Sequence, residues 1–290
     1  MLSVSALTSF LYCQRKLYLQ NVLGFYEPIK EPTIKGTIRH GVYEQINNIE
    51  ESIVTSITKR STKEELFNKY KTAHSEILIN TIRKYKEELK KLELKPNEIF
   101  KQTWPLIMEE SITRAKNIWE FMQTHLVYGK ELWEKLTPKI KSEFRIESEK
   151  LSLRGIIDQI EIYTNGYVPV ELKTGQCPKE GVWPNHKIQI AAYAMLLEDI
   201  YKAEIKEGFI AYLDAKQRRH VPINPFLKQE ILELMEKTKS LLESREIPQK
   251  ADNLNKCKSC GLKERCYDEK MLEKRQKEVF VIPKEQKQNI

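Results

Sequence analysis

The chain has 290 residues, of which 40% are hydrophobic and 31% charged, and its formal net charge is +8. This composition excludes a disordered or fibrous chain and predicts a folded protein of one elaborated domain or two, while the positive charge suits a polyanionic partner. The longest wholly apolar run, Ile190 to Leu197, is far shorter than the ~20 residues that cross a bilayer, so we expect no membrane span. No basic residue precedes Arg15 and there is no cleavable signal pattern, so we expect a cytoplasmic protein with reduced thiols.

The first half of the chain is predicted to be helical. Apolar spacing predicts helices over residues 5–22 and 36–50. From 62 to 135, Lys, Glu, Leu and Ile recur at helical spacing, with breaks near Pro96 and at Gly129. The charge runs of this block are typical of solvated helix faces, and a role of its lysines in guiding DNA is the open alternative.

Three strands are predicted next, over residues 141–147, 151–163 and 167–173. The last two form a hairpin, because Asn165 and Gly166 between two strand-like runs are the strongest short-range signal for a two-residue turn. With this turn, the residue numbers of every directly opposed pair in the hairpin have the same sum. The sequence therefore predicts a register as well as a hairpin.

The predicted register brings three charged side chains together. It places Asp158 opposite Lys173 and Ile160 opposite Glu171. Opposed residues share one face of a sheet, as do residues two apart on a strand, so both carboxylates and the ammonium converge. Pro169 cannot donate to the ladder and is the residue that could shift this register.

The cluster of Asp158, Glu171 and Lys173 has a structural and a catalytic interpretation. They could form a solvated surface or an ion-pair network that stabilises the hairpin. Against this, their neighbours form a near-continuous apolar run, which is typical of strands covered on both faces. Mg²⁺ and Mn²⁺ prefer carboxylate and water oxygens, so the two acids are natural ligands. The lysine beside them could orient an attacking water and stabilise charge on a phosphate.

An apolar helix follows the hairpin and carries Gln189 and Tyr193, one turn apart on a single face. Beyond it we expect strands over 207–213 and 218–222 and a helix over 225–243.

Five cysteines remain. Cys257, Cys260 and Cys266 have the short spacing of a metal-binding loop, and a fourth thiolate is needed. Spacing does not choose between Cys13 and Cys177 for this position. Structural zinc accepts four thiolates but usually from two close pairs, and iron–sulfur clusters use related spacings. Disulfides are the weaker alternative because nothing indicates secretion.

Taken together, these motifs resemble a known family. The Gly-x-x-Asp motif ending at Asp158, the Glu-x-Lys motif at Glu171 and the Gln-x-x-x-Tyr motif at Gln189 resemble the RecB-like branch of the PD-(D/E)xK nuclease superfamily. With the cysteines added, the chain looks like the CRISPR-associated RecB-like iron–sulfur exonucleases, the Cas4 family. The resemblance covers residues 5–45 and 141–270, and the stretch between them carries no family motif.

The resemblance implies a metal site and a fold. An upstream histidine joins the metal ligands in this branch, which identifies His40, with His186 as the weaker candidate. Mg²⁺ or Mn²⁺ would then be held by His40, Asp158 and Glu171, with Lys173 beside them, and the Gln189–Tyr193 pair would approach the DNA. The fold class implied is α/β, with a mixed central sheet flanked by helices, a large N-terminal helical part and an iron–sulfur cap.

The resemblance also chooses the fourth cysteine. Relatives with an iron–sulfur domain take one cysteine upstream of the core and three downstream, which identifies Cys13 and leaves Cys177 as a free thiol. Gln14 stands where the family has proline. The cluster would join the two chain ends, and 4Fe–4S is expected in preference to 2Fe–2S. We expect four segments: helices over 1–50, a helical insertion over 51–137, the nuclease core over 138–245, and the cysteine segment and tail over 246–290.

The implied function is a Mg²⁺- or Mn²⁺-dependent DNA exonuclease that acts on single-stranded ends. Its role would be to process prespacers for CRISPR adaptation, in partnership with the Cas1–Cas2 integrase. Two alternatives share the same motifs: an iron–sulfur repair nuclease outside CRISPR, and an assembly factor that binds DNA without cutting it. A zinc-stapled DNA-binding protein is a further alternative for the cysteines.

Overall fold

The computed structural model describes residues 1–281, and this part of the chain contains six strands and twelve helices. The strands are β1 (Leu2–Ser3), β2 (Lys139–Ser148), β3 (Leu153–Tyr163), β4 (Gly166–Lys173), β5 (Glu207–Tyr212) and β6 (Gln217–Pro222). The helices are α1 (Val4–Tyr12), α2 (Gln14–Asn21), α3 (Glu31–Thr55), α4 (Lys63–Lys84), α5 (Lys86–Lys91), α6 (Pro96–His125), α7 (Gly129–Lys135), α8 (Pro184–Tyr201), α9 (Pro225–Glu243), α10 (Leu254–Lys258), α11 (Lys263–Tyr267) and α12 (Glu269–Val281).

The strands form one mixed sheet in the order β1-β3-β4-β5-β6, with β2 also paired to β3. β2, β3 and β4 form an antiparallel meander, β4 and β5 are parallel, and β6 returns antiparallel to β5. Helix α8 is the crossover between the parallel strands β4 and β5, as such a connection requires. The α/β fold class with a mixed central sheet is therefore confirmed.

Helices cover both faces of the sheet. On one face, α1, α8 and α9 bury a core around Ile190 and Ile210. On the other, Ile38 of α3 and Leu78 of α4 pack against Val170 of β4. A fully buried aliphatic side chain contributes about 1.5–3 kcal/mol, so these two cores hold the sheet between its helical layers. None of the helices in the described part of the chain is long and apolar enough to cross a membrane.

The segment between the two motif-bearing parts is a helical layer, as predicted. Helices α4, α6 and α7 pack on the C-terminal part of α3 around Tyr70, Ile118 and Met122. Helix α3 continues to Thr55, past the segment boundary expected at residue 50. At the other end of the chain, α2 packs against α11 and α12 through Leu19 and other apolar residues.

Element boundaries follow local chemistry where the sequence supplies it. Helix α9 begins at Pro225 as predicted, because the Asn224 side chain accepts from the backbone N–H of Leu227 and proline fits the first helical position. The single helix expected over 5–22 is wrong, since the chain breaks at Cys13. That residue is extended (φ −165°, ψ 108°) and its sulfur accepts from the N–H of Lys16.

The predicted hairpin exists, but its register is wrong by two residues. Tyr163 pairs with Gly166 and Ile160 pairs with Pro169, so Ile160 does not lie opposite Glu171. The turn therefore consists of Thr164 and Asn165, and neither has the positive φ that a type I′ Asn-Gly turn needs. A two-residue shift leaves every side chain on its original face, so the hydrophobic pattern cannot detect it.

Candidate active site

The site lies in a fork between β3 and β4. The two strands pair from the turn up to Gln159 and Val170 and then separate, while β3 continues beside β2. At the point of separation, one carboxylate oxygen of Asp158 accepts from the backbone N–H of Leu172 at 2.8 Å. This bond fixes the aspartate at the base of the fork, next to Glu171 on the opposite strand.

Helix α3 and strand β2 complete the wall around Asp158. His40 Nδ1 of α3 lies 3.3 Å from Asp158 Oδ1 and 3.9 Å from Glu143 Oε1. Ligand atoms of these three residues all lie within 4.8 Å of one another. Imidazole and carboxylate groups at this separation suit a single divalent cation. His40 and Asp158 thus meet as expected, and Glu143 was missed.

The backbone at Glu143 explains how a third acid reaches the fork. Its φ is +47°, in the left-handed region that a non-glycine residue rarely adopts. The ladder between β2 and β3 is interrupted there, with Ser142 paired to Gln159 and Phe144 paired to Ile157. The kink turns the glutamate side chain towards His40. Such strain costs about 1–3 kcal/mol and is concentrated at functional sites.

Glu171 is the most deeply buried acid of the fork, at 3% exposure. Its Oε1 accepts from Lys173 Nζ at 2.8 Å and from Gln189 Nε2 at 2.6 Å. The same amide nitrogen of Gln189 lies 3.2 Å from the Tyr193 hydroxyl. Glu171 Oε2 is buried without a hydrogen-bond partner in the described residues. A buried, unpartnered carboxylate oxygen is costly unless a donor or cation binds it.

The electrostatics agree with an excess of negative charge in the fork. Burial raises the pKa of Glu171, and the charge of Asp158 raises it further against the opposing effect of Lys173. Burial lowers the pKa of His40, but hydrogen bonds to Asp158 and Glu143 outweigh it and raise the pKa to about 10. In the absence of a cation, a proton on His40 provides the missing positive charge.

Gly155 sets the position of the tyrosine. A Cβ on this residue would lie 2.6 Å from Tyr193 Cε1 and 3.2 Å from Val4 Cγ2. The Gly-x-x-Asp motif therefore has a steric reason: a ring from α8 occupies the space where a side chain of β3 would lie. The expected Gln-Tyr pair and the metal ligands meet at the same fork because of this close approach.

The second expected site is at the chain ends. Cys13, Cys257, Cys260 and Cys266 all line one pocket. Cys177 lies elsewhere, in a different pocket beside Gln217. The structure therefore brings together the four cysteines expected as ligands, which spacing alone could not select. Four thiols around one pocket fit either an iron–sulfur cluster or a zinc ion.

A buried arginine joins the two chain ends beside this pocket. Arg15 donates to the backbone oxygens of Pro248 at 2.8 Å and Cys266 at 3.0 Å. Burial raises the pKa of the Cys266 thiol, and Arg15 acts in the opposite direction. A cation held next to the thiols favours their deprotonated, ligating form.

His186, the weaker histidine candidate, does not join the carboxylates. It lies in the first turn of α8, and its Nδ1 is 3.0 Å from the Tyr212 hydroxyl. Burial lowers its pKa to about 4, with a further contribution from the charge of Lys173. It therefore stays neutral and bound to a phenol, whereas His40 faces two acids.

Comparison with known proteins places these features in a family. A model of the PD-(D/E)XK nuclease superfamily matches residues 1–267. An alignment over 152 residues covers 49% of the chain and 28% of a CRISPR-associated exonuclease Cas4/endonuclease Cas1 fusion from Leptospira interrogans serogroup Icterohaemorrhagiae serovar Lai (strain 56601), with 33% identity. Another alignment covers 42% of the chain and 60% of the CRISPR-associated exonuclease Cas4 of Francisella tularensis subsp. novicida (strain U112), with 32% identity.

A more distant similarity covers more of the chain. An alignment over 256 residues covers 81% of the chain and 22% of the DNA replication ATP-dependent helicase/nuclease DNA2 of Mus musculus, with 25% identity. The chain spans less than two thirds of the length of each of these relatives. The family match, by contrast, runs through both the fork and the cysteine pocket. The chain therefore belongs to the PD-(D/E)XK nuclease superfamily.

Proposed function

We propose that this protein is a metal-dependent DNA exonuclease that acts on single-stranded ends and carries an iron–sulfur cluster. The observation that carries the proposal is the fork. It holds three acids, one histidine and a single lysine, and one buried oxygen of Glu171 has no partner among the described residues. A cluster of oxygen ligands with this surplus of negative charge suits Mg²⁺ or Mn²⁺.

The residues of the fork have distinct roles in this proposal. His40, Glu143 and Asp158 would hold the metal, and Glu171 would add its free oxygen. A divalent ion held there would supply a water of lowered pKa and would stabilise charge on the scissile phosphate. Lys173 orients the attacking water and, being hydrogen-bonded to Glu171, is itself held in place. Gln189 and Tyr193 position the DNA strand at the mouth of the fork.

The cysteine pocket takes a structural role. Cys13 would be joined to three cysteines near the other chain end, so the cluster closes a loop of most of the chain. Closing so long a loop constrains the unfolded state by loop-closure entropy. The cluster is therefore proposed to stabilise the cap against the nuclease core, with 4Fe–4S as the expected type.

The proposed context is the processing of prespacers in CRISPR adaptation. It is supported by the similarity to proteins named Cas4 exonucleases and to fusions of Cas4 with Cas1. We propose association with the Cas1–Cas2 integrase on the same grounds. The similarity to a helicase/nuclease of DNA replication keeps a repair nuclease outside CRISPR as the second candidate. Reconstitution with Cas1 and Cas2 separates the two, since a repair nuclease would not alter prespacer integration.

The proposal is tested on anaerobically purified protein. Its visible spectrum and its iron and zinc content are measured, and the same sample is assayed on end-labelled single-stranded DNA with Mn²⁺. Asp158→Asn is compared with Asp252→Asn, which removes the same charge from an exposed loop. We expect brown, iron-containing protein whose cleavage is lost only in Asp158→Asn.

Other outcomes identify the alternatives. Colourless protein that contains zinc would show that the cysteines bind zinc and not an iron–sulfur cluster. DNA binding without cleavage in the wild type would favour the non-cutting assembly factor. Cleavage that survives Asp158→Asn unchanged would show that the fork is not the active site.

A further inference from the structure

An open groove of 740 Å³ adjoins the catalytic fork, and apart from Tyr193 and Gly155 its lining residues have no role in the proposed reaction. It extends from Tyr193 and Gly155 past Ile156 of β3 to Arg154, with Arg145 of β2 beside it. On the side away from β2, β3 pairs with β1 up to Arg154 and with β4 only from Gln159, so residues 155–158 border a gap between these two strands. The groove therefore leads directly out of the active site.

Two guanidinium groups face this groove without an acidic partner. Arg145 and Arg154 are both exposed, and neither forms an ion pair or a side-chain hydrogen bond within residues 1–281. Most other arginines in this part of the chain have such a bond, for example Arg218 to Glu161 at 2.6 Å. Free guanidinium groups suit the bidentate recognition of phosphate oxygens.

The register of β2 and β3 sets the spacing of the pair. Arg145 lies opposite Ile156, and Arg154 lies opposite Glu147, so the two arginines are diagonal neighbours on one face. Diagonal neighbours are about 7–8 Å apart. Along β3, Arg154 is four residues from Asp158, which corresponds to about 13 Å at 3.3 Å per residue. At about 3.4 Å per nucleotide, this distance spans about four stacked nucleotides.

The remaining groups of the groove fit a nucleic acid strand. Ile156, 40% exposed, offers an apolar contact to sugar or base. The hydroxyls of Ser3 and Ser5, which lie 2.9 Å apart, border the opposite side. Glu147 is the one acid among the groove residues, and it reduces the positive charge that the two arginines supply.

We propose that this groove is a single-strand subsite in which Arg145 and Arg154 bind phosphates a few nucleotides from the scissile bond. This inference rests on the proposed function, since it assigns to that nuclease the path its substrate strand follows. The groove would hold the strand by its backbone rather than by base identity, because it offers phosphate donors and an apolar side chain but no set of base-reading groups. It would act only on substrates long enough to reach it.

The test compares Arg145→Gln/Arg154→Gln with Arg60→Gln/Arg83→Gln. The control pair removes the same charge from exposed positions outside the groove. Steady-state cleavage with Mn²⁺ and binding by fluorescence anisotropy are measured on a long and a very short single strand over a range of salt concentrations. Thermal melts check that all variants fold.

We expect the groove variant to raise KM for the long strand about tenfold with kcat within about twofold, and to leave the short strand unaffected. Two lost phosphate contacts should reduce the slope of log K against log salt by about 1.4. Glu147→Gln should have the opposite effect and lower KM for the long strand. If the groove variant matches the control pair in length dependence and salt slope, the subsite is refuted while the nuclease stands. If the wild type binds DNA without cutting it, anisotropy still tests the subsite. If the wild type neither binds nor cuts DNA, the subsite and the proposed nuclease function are both refuted.

Discussion

Helix α3 carries two clusters of charge that differ in one respect. His40 belongs to the catalytic fork, and Glu50, ten residues further along, belongs to a buried network around Arg114. At 1.5 Å per residue the two lie about 15 Å apart. Both clusters hold acids in the interior, but only one of them provides partners for all its buried polar atoms.

In the network, every polar atom of the guanidinium group has a bond. Arg114 Nε donates to Glu110 at 2.7 Å, one terminal nitrogen donates to Glu50, and the other donates to Asn47 Oδ1 at 2.5 Å. The Tyr70 hydroxyl adds a bond of 2.6 Å to Glu50. In the fork, by contrast, Glu171 Oε2 is buried and has no partner in residues 1–281. Complete hydrogen bonding indicates structure, and a buried carboxylate oxygen without a partner indicates a site that binds a cation.

The largest expected effect comes from removing an acid of each cluster. Glu171→Gln should reduce cleavage about a thousandfold, which corresponds to about 4 kcal/mol of lost metal-dependent stabilisation. The same change should make the metal-free protein more stable, because it removes a buried charge whose pKa is already raised by burial and by Asp158. Thermal melts with and without Mn²⁺ measure this, and the stabilisation by metal should shrink in the variant.

Glu50→Gln is the matched control in the fully hydrogen-bonded network around Arg114. It should lower the stability of the metal-free protein, since Arg114 and Tyr70 lose a charged acceptor. If both substitutions change the melting temperature in the same direction, the distinction between the two clusters is wrong.

Arg114→Met should destabilise the protein by about 3–5 kcal/mol, because it leaves two acids without their buried partner. Cleavage per folded molecule should stay unchanged. Denaturant titration measures the loss. Arg114→Met/Glu50→Leu/Glu110→Leu should recover most of it by removing the stranded charges, and a single variant as stable as the wild type would contradict a structural role.

The sequence located most of the fork because its residues lie in short motifs. Asp158, Glu171 and Lys173 are on adjacent strands of one hairpin, and Gln189 and Tyr193 are one helical turn apart. Glu143 has no such signal: its place depends on a left-handed φ of +47° and an interrupted ladder. A lone glutamate in an alternating strand is typical of a solvent-facing position, so tertiary geometry alone reveals it.

Two features of the fold escaped prediction for related reasons. The hairpin register could not be fixed, because a slip by two residues preserves the burial pattern of both strands. The break at Cys13 has no proline or glycine to mark it, and apolar spacing continues through it. Conversely, the start of α9 agrees with the prediction, and the structure shows that Asn224 and Pro225 specify it.

A smaller effect is expected at the glycine that receives the tyrosine ring. Gly155→Ala should cost about 1–3 kcal/mol of stability, because its Cβ would lie 2.6 Å from Tyr193 Cε1. Cleavage should fall as well, since the tyrosine and its partner Gln189 must move. Gly166→Ala is the control, as its Cβ would meet nothing within 4 Å. Equal stability of the two alanine variants would show that the Tyr193 ring can move away from residue 155 without loss of stability.

The last effect depends on pH and concerns a buried histidine in the helical layer. His74 Nδ1 is 2.9 Å from Ser111 Oγ, whose own hydrogen is donated to the Ile107 carbonyl, so Nδ1 is the donor. The other ring nitrogen is buried without a partner in the described residues. A proton there would have no acceptor and would lie near the charge of Arg114. Burial first, and Arg114 second, lower the pKa of His74 to about 3.

This depressed pKa gives a pH dependence with a definite sign. Above about pH 6.5, the unfolded value, His74 is neutral in both states and its contribution to stability is complete. Below about pH 6.5, His74 binds a proton in the unfolded chain but not in the folded protein. The free energy of unfolding therefore falls by about 1.4 kcal/mol per pH unit until the pKa of the folded state is approached. Denaturant titrations between pH 7 and 5 should therefore show a steeper decline in the wild type than in His74→Gln. Parallel pH curves would mean that the folded protein accommodates the proton, and that the helical layer is less tightly closed than the unpartnered nitrogen indicates.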